Sequence, residues 1–201
     1  MTPTRMPMNH SEPWRSAEAG SSLADAVIIG VDSAAKAGWS ILCQSHLVRF
    51  GVLNTWRGRD IESVIATAID LARRERLPLH LAMEHWPAPF AGRSMRTWLG
   101  LGEARGVWKR EFLCAVDEER GRENPTCRIG KGRVLKLTGR HHLADVMKWR
   151  KALYGSARAP KDTAKDKAVA WVREEYGQLV EPHDAAEAVC VGTYVDRVIL
   201  G

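Results

Sequence analysis

The chain has 201 residues, with 30 Lys and Arg against 24 Asp and Glu, a net charge of +6 and a pI near 9.4. That length suits one domain with a tail and can bury a sizeable core, while the charge favours an anionic partner. No apolar run approaches the ~18 residues of a membrane span, residues 1–25 lack a signal-peptide apolar core, and the four cysteines show no CxxC spacing, as expected of free thiols in a reducing compartment.

Residues 1–25, with Pro3, Pro7, Pro13, Gly20, Ser21 and Ser22, read as a flexible tail, and residues 26–201 as the folded domain. Ala26 to Val31 is a β-branched apolar run of the kind found in buried strands. Gly38 to Cys43 and Leu47 to Leu53 follow closely enough to form an antiparallel meander. A helix is expected from a cap at Asp60 to about Arg76, its apolar stripe made by Ile61, Val64, Ile65, Ala68, Ile69 and Ala72. Leu79 to Glu84 is a fourth strand, and a strand reached through a helix implies a crossover to a parallel neighbour.

Pro87 and Pro89 end that strand and open a loop. A helical pattern then runs from about Ser94 to Val116, interrupted by Gly100, Gly102 and Gly106. A short strand is expected near Thr126 to Ile129 and a helix from Leu143 to Leu153. Lys161 to Tyr176 reads as a further helix, with Ala164, Ala168, Val169 and Val172 inward, and Asp184 to Val198 as the last. Strands and helices in this order give an α/β fold with a mixed central sheet, its first three strands antiparallel and the next parallel, flanked by helices.

Four acids punctuate these elements. Asp32 ends the first strand, Glu84 ends the fourth, and Asp184 and Glu187 stand one helical turn apart at the start of the last helix. Each has an ordinary role open to it: Asp32 as a turn former, Asp184 as a helix cap, Glu187 as the far end of a capping box. Glu84 fits such roles poorly, because an unpaired carboxylate at the end of an apolar strand is costly to bury. Together the four can converge into an oxygen-only site for hard divalent cations.

Ile29-Gly30-Val31-Asp32-Ser33 followed by Gly38-Trp39-Ser40-Ile41, then Leu81-Ala82-Met83-Glu84, Gly102-Glu103-Ala104-Arg105-Gly106-Val107 and His183-Asp184-Ala185-Ala186-Glu187-Ala188, occur in the order seen in one family. Over about Val27 to Val198 the chain resembles the RuvC-like Holliday junction resolvases of the ribonuclease H-like nuclease superfamily. It departs in having Glu187 where the family closes with aspartate, and Asp32-Ser33-Ala34 where the family has Asp-Pro-Gly. The segment between Glu84 and Asp184 is also longer, with an insertion around 149–160.

The resemblance implies a ribonuclease H-like fold and an endodeoxyribonuclease that resolves four-way DNA junctions by paired symmetric nicks, leaving 5′-phosphate and 3′-hydroxyl ends. It implies Asp32, Glu84, Asp184 and Glu187 as catalytic and metal-binding residues for two Mg²⁺ ions, with Mn²⁺ as a substitute and no nucleotide cofactor. His183 would assist proton transfer or contact phosphate. DNA would be gripped by Lys131, Arg133, Lys136 and Arg140, with Lys148, Arg150 and Lys151 following, and Trp86 or Phe90 would stack on bases at the crossover. The implied assembly is a homodimer with the glycine-bearing segment from Leu99 to Val107 as a candidate face, in the cytoplasm of a bacterium or phage-infected host. Two rivals remain: a related nuclease for flaps, branched DNA or RNA–DNA hybrids, and a catalytically weak junction-binding protein.

Overall fold

Alternation along two buried strands sets the layers of the molecule. In the computed structural model, which describes residues 25–86, 94–122, 139–155 and 161–201, β1 (Val27–Asp32) sends Val27, Ile29 and Val31 to one face. Ile28, Gly30 and Asp32 go to the other, as the two-residue period of a strand requires. β4 (Leu79–His85) repeats the pattern, with Leu79, Leu81 and Met83 on the first face and His80, Ala82 and Glu84 on the second. The sheet has the order β3-β2-β1-β4-β5, where β2 is Lys36–Cys43, β3 is His46–Asn54 and β5 is Gly139–Asp145. β1, β2 and β3 pair antiparallel, while β4 and β5 run parallel to β1. This is the expected mixed sheet.

The first face is covered by α1 (Gly58–Glu75) and α2 (Met95–Arg122), whose Ile61, Ile65, Trp108 and Phe112 are fully buried against it. The second is covered by α5 (His183–Tyr194), with α3 (Val146–Tyr154) and α4 (Lys161–Tyr176) outside it. A π-helical segment, Val195–Leu200, extends α5. Two cores thus sandwich one sheet.

Two local expectations need correction. α1 begins at Gly58 with Arg57 as its N-cap, so Asp60 lies in the first turn and does not cap the helix. The helix expected from Leu143 starts at Val146, because Leu143, Ala144 and Asp145 complete β5. There Asp145 is the N-cap, its carboxylate accepting from the Met147 and Lys148 amides. The short strand expected at 126–129 lies outside the described residues. Cys43 and Cys190 are buried free thiols, as their apolar settings suggested, and Cys114 is exposed.

Candidate metal centre

Two glycines allow the last helix to bring its acids to the sheet. A Cβ built on Gly30 would lie 2.2 Å from the Ala188 carbonyl oxygen, and one on Gly38 would lie 1.8 Å from that of Asp184. No side chain fits at either place, so the first two turns of α5 rest directly on the backbone of β1 and β2. Ser40 Oγ reinforces the contact by donating to the Ala188 carbonyl at 3.1 Å. Gly38 pairs with Asp32 in the sheet. The helix residue pressed on Gly38 is therefore Asp184, beside the end of β1.

The result is a cluster at the carboxyl ends of β1 and β4. Ligand oxygens of Asp32, Asp184 and Glu187 all lie within 4.8 Å of one another. Glu84, one residue past the Val31–Met83 pair, lies beside them, close enough for its charge to act on both Asp32 and Glu187. All four acids singled out in the sequence are brought together.

Burial makes this arrangement electrostatically expensive. Glu84 and Glu187 are 8% and 5% exposed. Asp32 is held well above the usual carboxylate range, first by burial and then by the charges of Glu84 and Glu187. Glu187 is raised as well, by burial and by Glu84, against the opposing pull of Arg150 and Lys165. Like charges crowded in a low dielectric disfavour ionisation of all of them together.

Two cations offset part of that repulsion. Arg150 Nη2, on α3, donates to Glu187 Oε1 at 2.8 Å with both side chains largely buried. Lys165 Nζ, on α4, donates to Asp184 Oδ1 at 2.8 Å. Trp86 Nε1 donates to Glu84 Oε2 at 3.2 Å, and the Arg150 guanidinium lies over the Trp86 ring, 5.7 Å from its centroid. Glu84 Oε1 is buried without a hydrogen-bond partner. An orphaned buried carboxylate oxygen beside three convergent carboxylates is a donor set that suits a hard divalent cation such as Mg²⁺.

The acids do not serve as the caps that were their ordinary alternatives. Pro182 occupies the N-cap of α5 without a side-chain bond, and Glu187 turns toward Arg150. His183 stands exposed at the start of α5, its Nδ1 4.0 Å from the Asp166 carboxylate. Arg140 is exposed on β5 opposite His80, four residues before Glu84 on the paired strand, roughly 13 Å along the sheet. Lys131, Arg133, Lys136 and Phe90 lie outside the described residues.

Lys165 was missed from sequence, and Arg150 was read only as one of a basic run. Nothing in a helix pattern marks Lys165, which stands beside the inward stripe of Ala164 and Ala168.

A scan against protein-family models and a search of the curated proteins gave no match. Among solved structures the chain is similar to RuvC of Thermus thermophilus, with a TM-score of 0.54 and 16% identity, over 87% of this chain and 97% of that one. It is likewise similar to T. thermophilus RuvC in complex with Holliday junction substrate, with a TM-score of 0.52 and 16% identity, covering 83% and 90% of the two chains. At that identity the likeness concerns the fold. The chain has the ribonuclease H-like fold in the form found in RuvC.

Proposed function

We propose that this protein is a metal-dependent endodeoxyribonuclease that resolves four-way DNA junctions. The observation that carries the reading is the convergence of Asp32, Glu84, Asp184 and Glu187 at the strand ends of a RuvC-like fold. The neighbour's Holliday junction complex supports branched DNA as the substrate. A chain with a net charge of +6 suits a polyanionic partner.

In this reading the four carboxylates hold two Mg²⁺ ions, with Mn²⁺ able to substitute. Such ions, when bound, lower the pKa of the attacking water and stabilise charge on the leaving 3′-oxygen. Asp32 would be the central ligand, since the charges of Glu84, Glu187 and Asp184 all act on it and its carboxylate lies close to those of Asp184 and Glu187. Lys165 and Arg150 neutralise Asp184 and Glu187 before loading, and each then stands ready to contact the scissile phosphate. Trp86, tied to Glu84, lines the approach from the crossover.

Paired nicks need two sites, which a two-fold dimer supplies. α2 offers a face for it. Met95 and Leu99 are 69% and 58% exposed, and a Cβ added at Gly100 or Gly106 would meet nothing within 4 Å among the described residues. The glycines are therefore not explained by packing within the described monomer, and they leave room for a second helix.

The test is product analysis on a four-way junction in Mg²⁺, against flap and RNA–DNA hybrid controls. Two nicked duplexes cut symmetrically, with 5′-phosphate and 3′-hydroxyl ends, are expected. Preference for a flap or hybrid would replace the reading with a related nuclease, and binding without cleavage would replace it with a junction-binding protein.

A further inference from the structure

An exposed tryptophan stands on a fixed turn at the same end of the sheet as the acidic cluster, among cations that form no ion pair among the described residues. Trp56 is 52% exposed and belongs to neither core, and among the described residues it makes no ring contact. Its backbone is nonetheless held: its amide donates to Asn54 Oδ1 at 3.0 Å, and the Arg57 amide donates to the Asn54 carbonyl at 3.0 Å. The preceding residue, Thr55, is fully buried. Its amide donates to the Ala35 carbonyl at 2.9 Å and its hydroxyl to that of Ala34. Ala34 is two residues from Asp32. The β3–α1 turn is thereby fastened to the segment that leaves the metal centre.

Chain geometry places Trp56 roughly 10–15 Å from Asp32, or about three to four base steps at 3.4 Å each. Around it Lys36, Arg57 and Arg59 are exposed, and none forms an ion pair among the described residues. The acids nearby are Asp60 and Glu62, further into α1 and also exposed. Held on an ordered turn and packed into neither core, the indole offers a flat aromatic face to a base. Three cations beside it favour a polyanion over an apolar protein partner.

We infer that Trp56, with Arg57, Arg59 and Lys36, is a second DNA-binding site, where the indole stacks on an unpaired or terminal base of the strand leading to the metal centre and the cations hold its phosphates. This rests on the nuclease reading and adds a contact on the α1 side of the sheet, away from Trp86. Stacking tolerates any base, so the site would position the strand without reading its sequence.

The test measures binding of a four-way junction with frayed arms by the full chain in Ca²⁺, for wild type, W56A, W56F and R57A/R59A. Thermal melting should show that each variant folds, as the exposure of these side chains leads one to expect. W56A should weaken binding about 5- to 100-fold, and W56F, which keeps an aromatic face, should stay within about 3-fold. R57A/R59A should reduce the salt dependence by about two phosphate contacts, while W56A leaves that slope unchanged. Binding by W56A within 2-fold of wild type would overturn the inference while leaving the nuclease reading in place. Failure of wild type to bind DNA at all would overturn both.

Discussion

Arg150 and Lys165 carry the most consequence per residue outside the acids themselves. Removing one partner of a largely buried ion pair strands the other charge, at about 3–5 kcal/mol. Arg150→Ala should therefore lower metal-free stability by an amount of that order, measured by urea denaturation in EDTA, because Glu187 is 5% exposed and loses its donor. Lys165 is more exposed, so its loss should act on chemistry instead. Lys165→Ala is expected to cut the single-turnover cleavage rate by roughly 10²–10³-fold, with junction binding changed only a few-fold.

A second residue-scale prediction concerns acid. Burial, with help from His142 and Arg140, pushes His80 down to about 4. The unfolded chain protonates this group near the ordinary value of about 6.5, so its contribution to stability is full above that pH. It is lost as pH falls through 6.5 toward 4. Wild type should lose on the order of 1–2 kcal/mol between pH 7 and 5 from this group, and His80→Gln should lose correspondingly less in urea melts at the two pH values. All four acids were legible in the sequence because each ended an apolar run or opened the last helix. Their cationic partners were not legible, because ion pairs between α3, α4 and α5 leave no periodic trace.

Among the elements, α5 decides whether the centre exists. Its acids reach Asp32 only because the helix backbone rests on Gly30 and Gly38, and a methyl group at Gly38 would collide with the Asp184 carbonyl. Gly38→Ala should cost roughly 1–3 kcal/mol or more as an overpacking change and should displace Asp184. Cleavage is then expected to fall far more than the folded fraction, checked by activity assays beside circular dichroism. The strands that form this platform were readable from Ala26 to Glu84, because the buried ones are apolar and their turns short. β5 was hidden. Gly139-Arg140-His141-His142-Leu143-Ala144-Asp145 is a polar edge strand with Ala144 its one fully buried residue, so it carries no alternation to read.

For the molecule as a whole, a sheet between two helical layers leaves Met95 and Leu99 of α2 exposed. If the α2 face joins two copies, Leu99→Asp should shift the protein from dimer to monomer in analytical ultracentrifugation. The monomer should nick single strands of a junction without coordinating the second cut. The layer order was legible because helix and strand periods alternate cleanly along the chain. Whether the α2 glycines meet a neighbour was not, since glycines spaced along a helix look the same either way; among the described residues nothing lies within 4 Å of a Cβ built at Gly100 or Gly106.

If the four carboxylates act together as a metal-dependent cutting centre, Asp32, which feels the charges of the other three, lies at its middle. The most direct measurement compares wild type with Asp32→Asn for binding and cleavage of a four-way junction in Mg²⁺. Cleavage should be lost by at least about 10³-fold, in the range seen when central electrostatic groups are removed, while junction affinity is retained. Undiminished cleavage by Asp32→Asn would mean that the carboxylate cluster is not where the strand is cut.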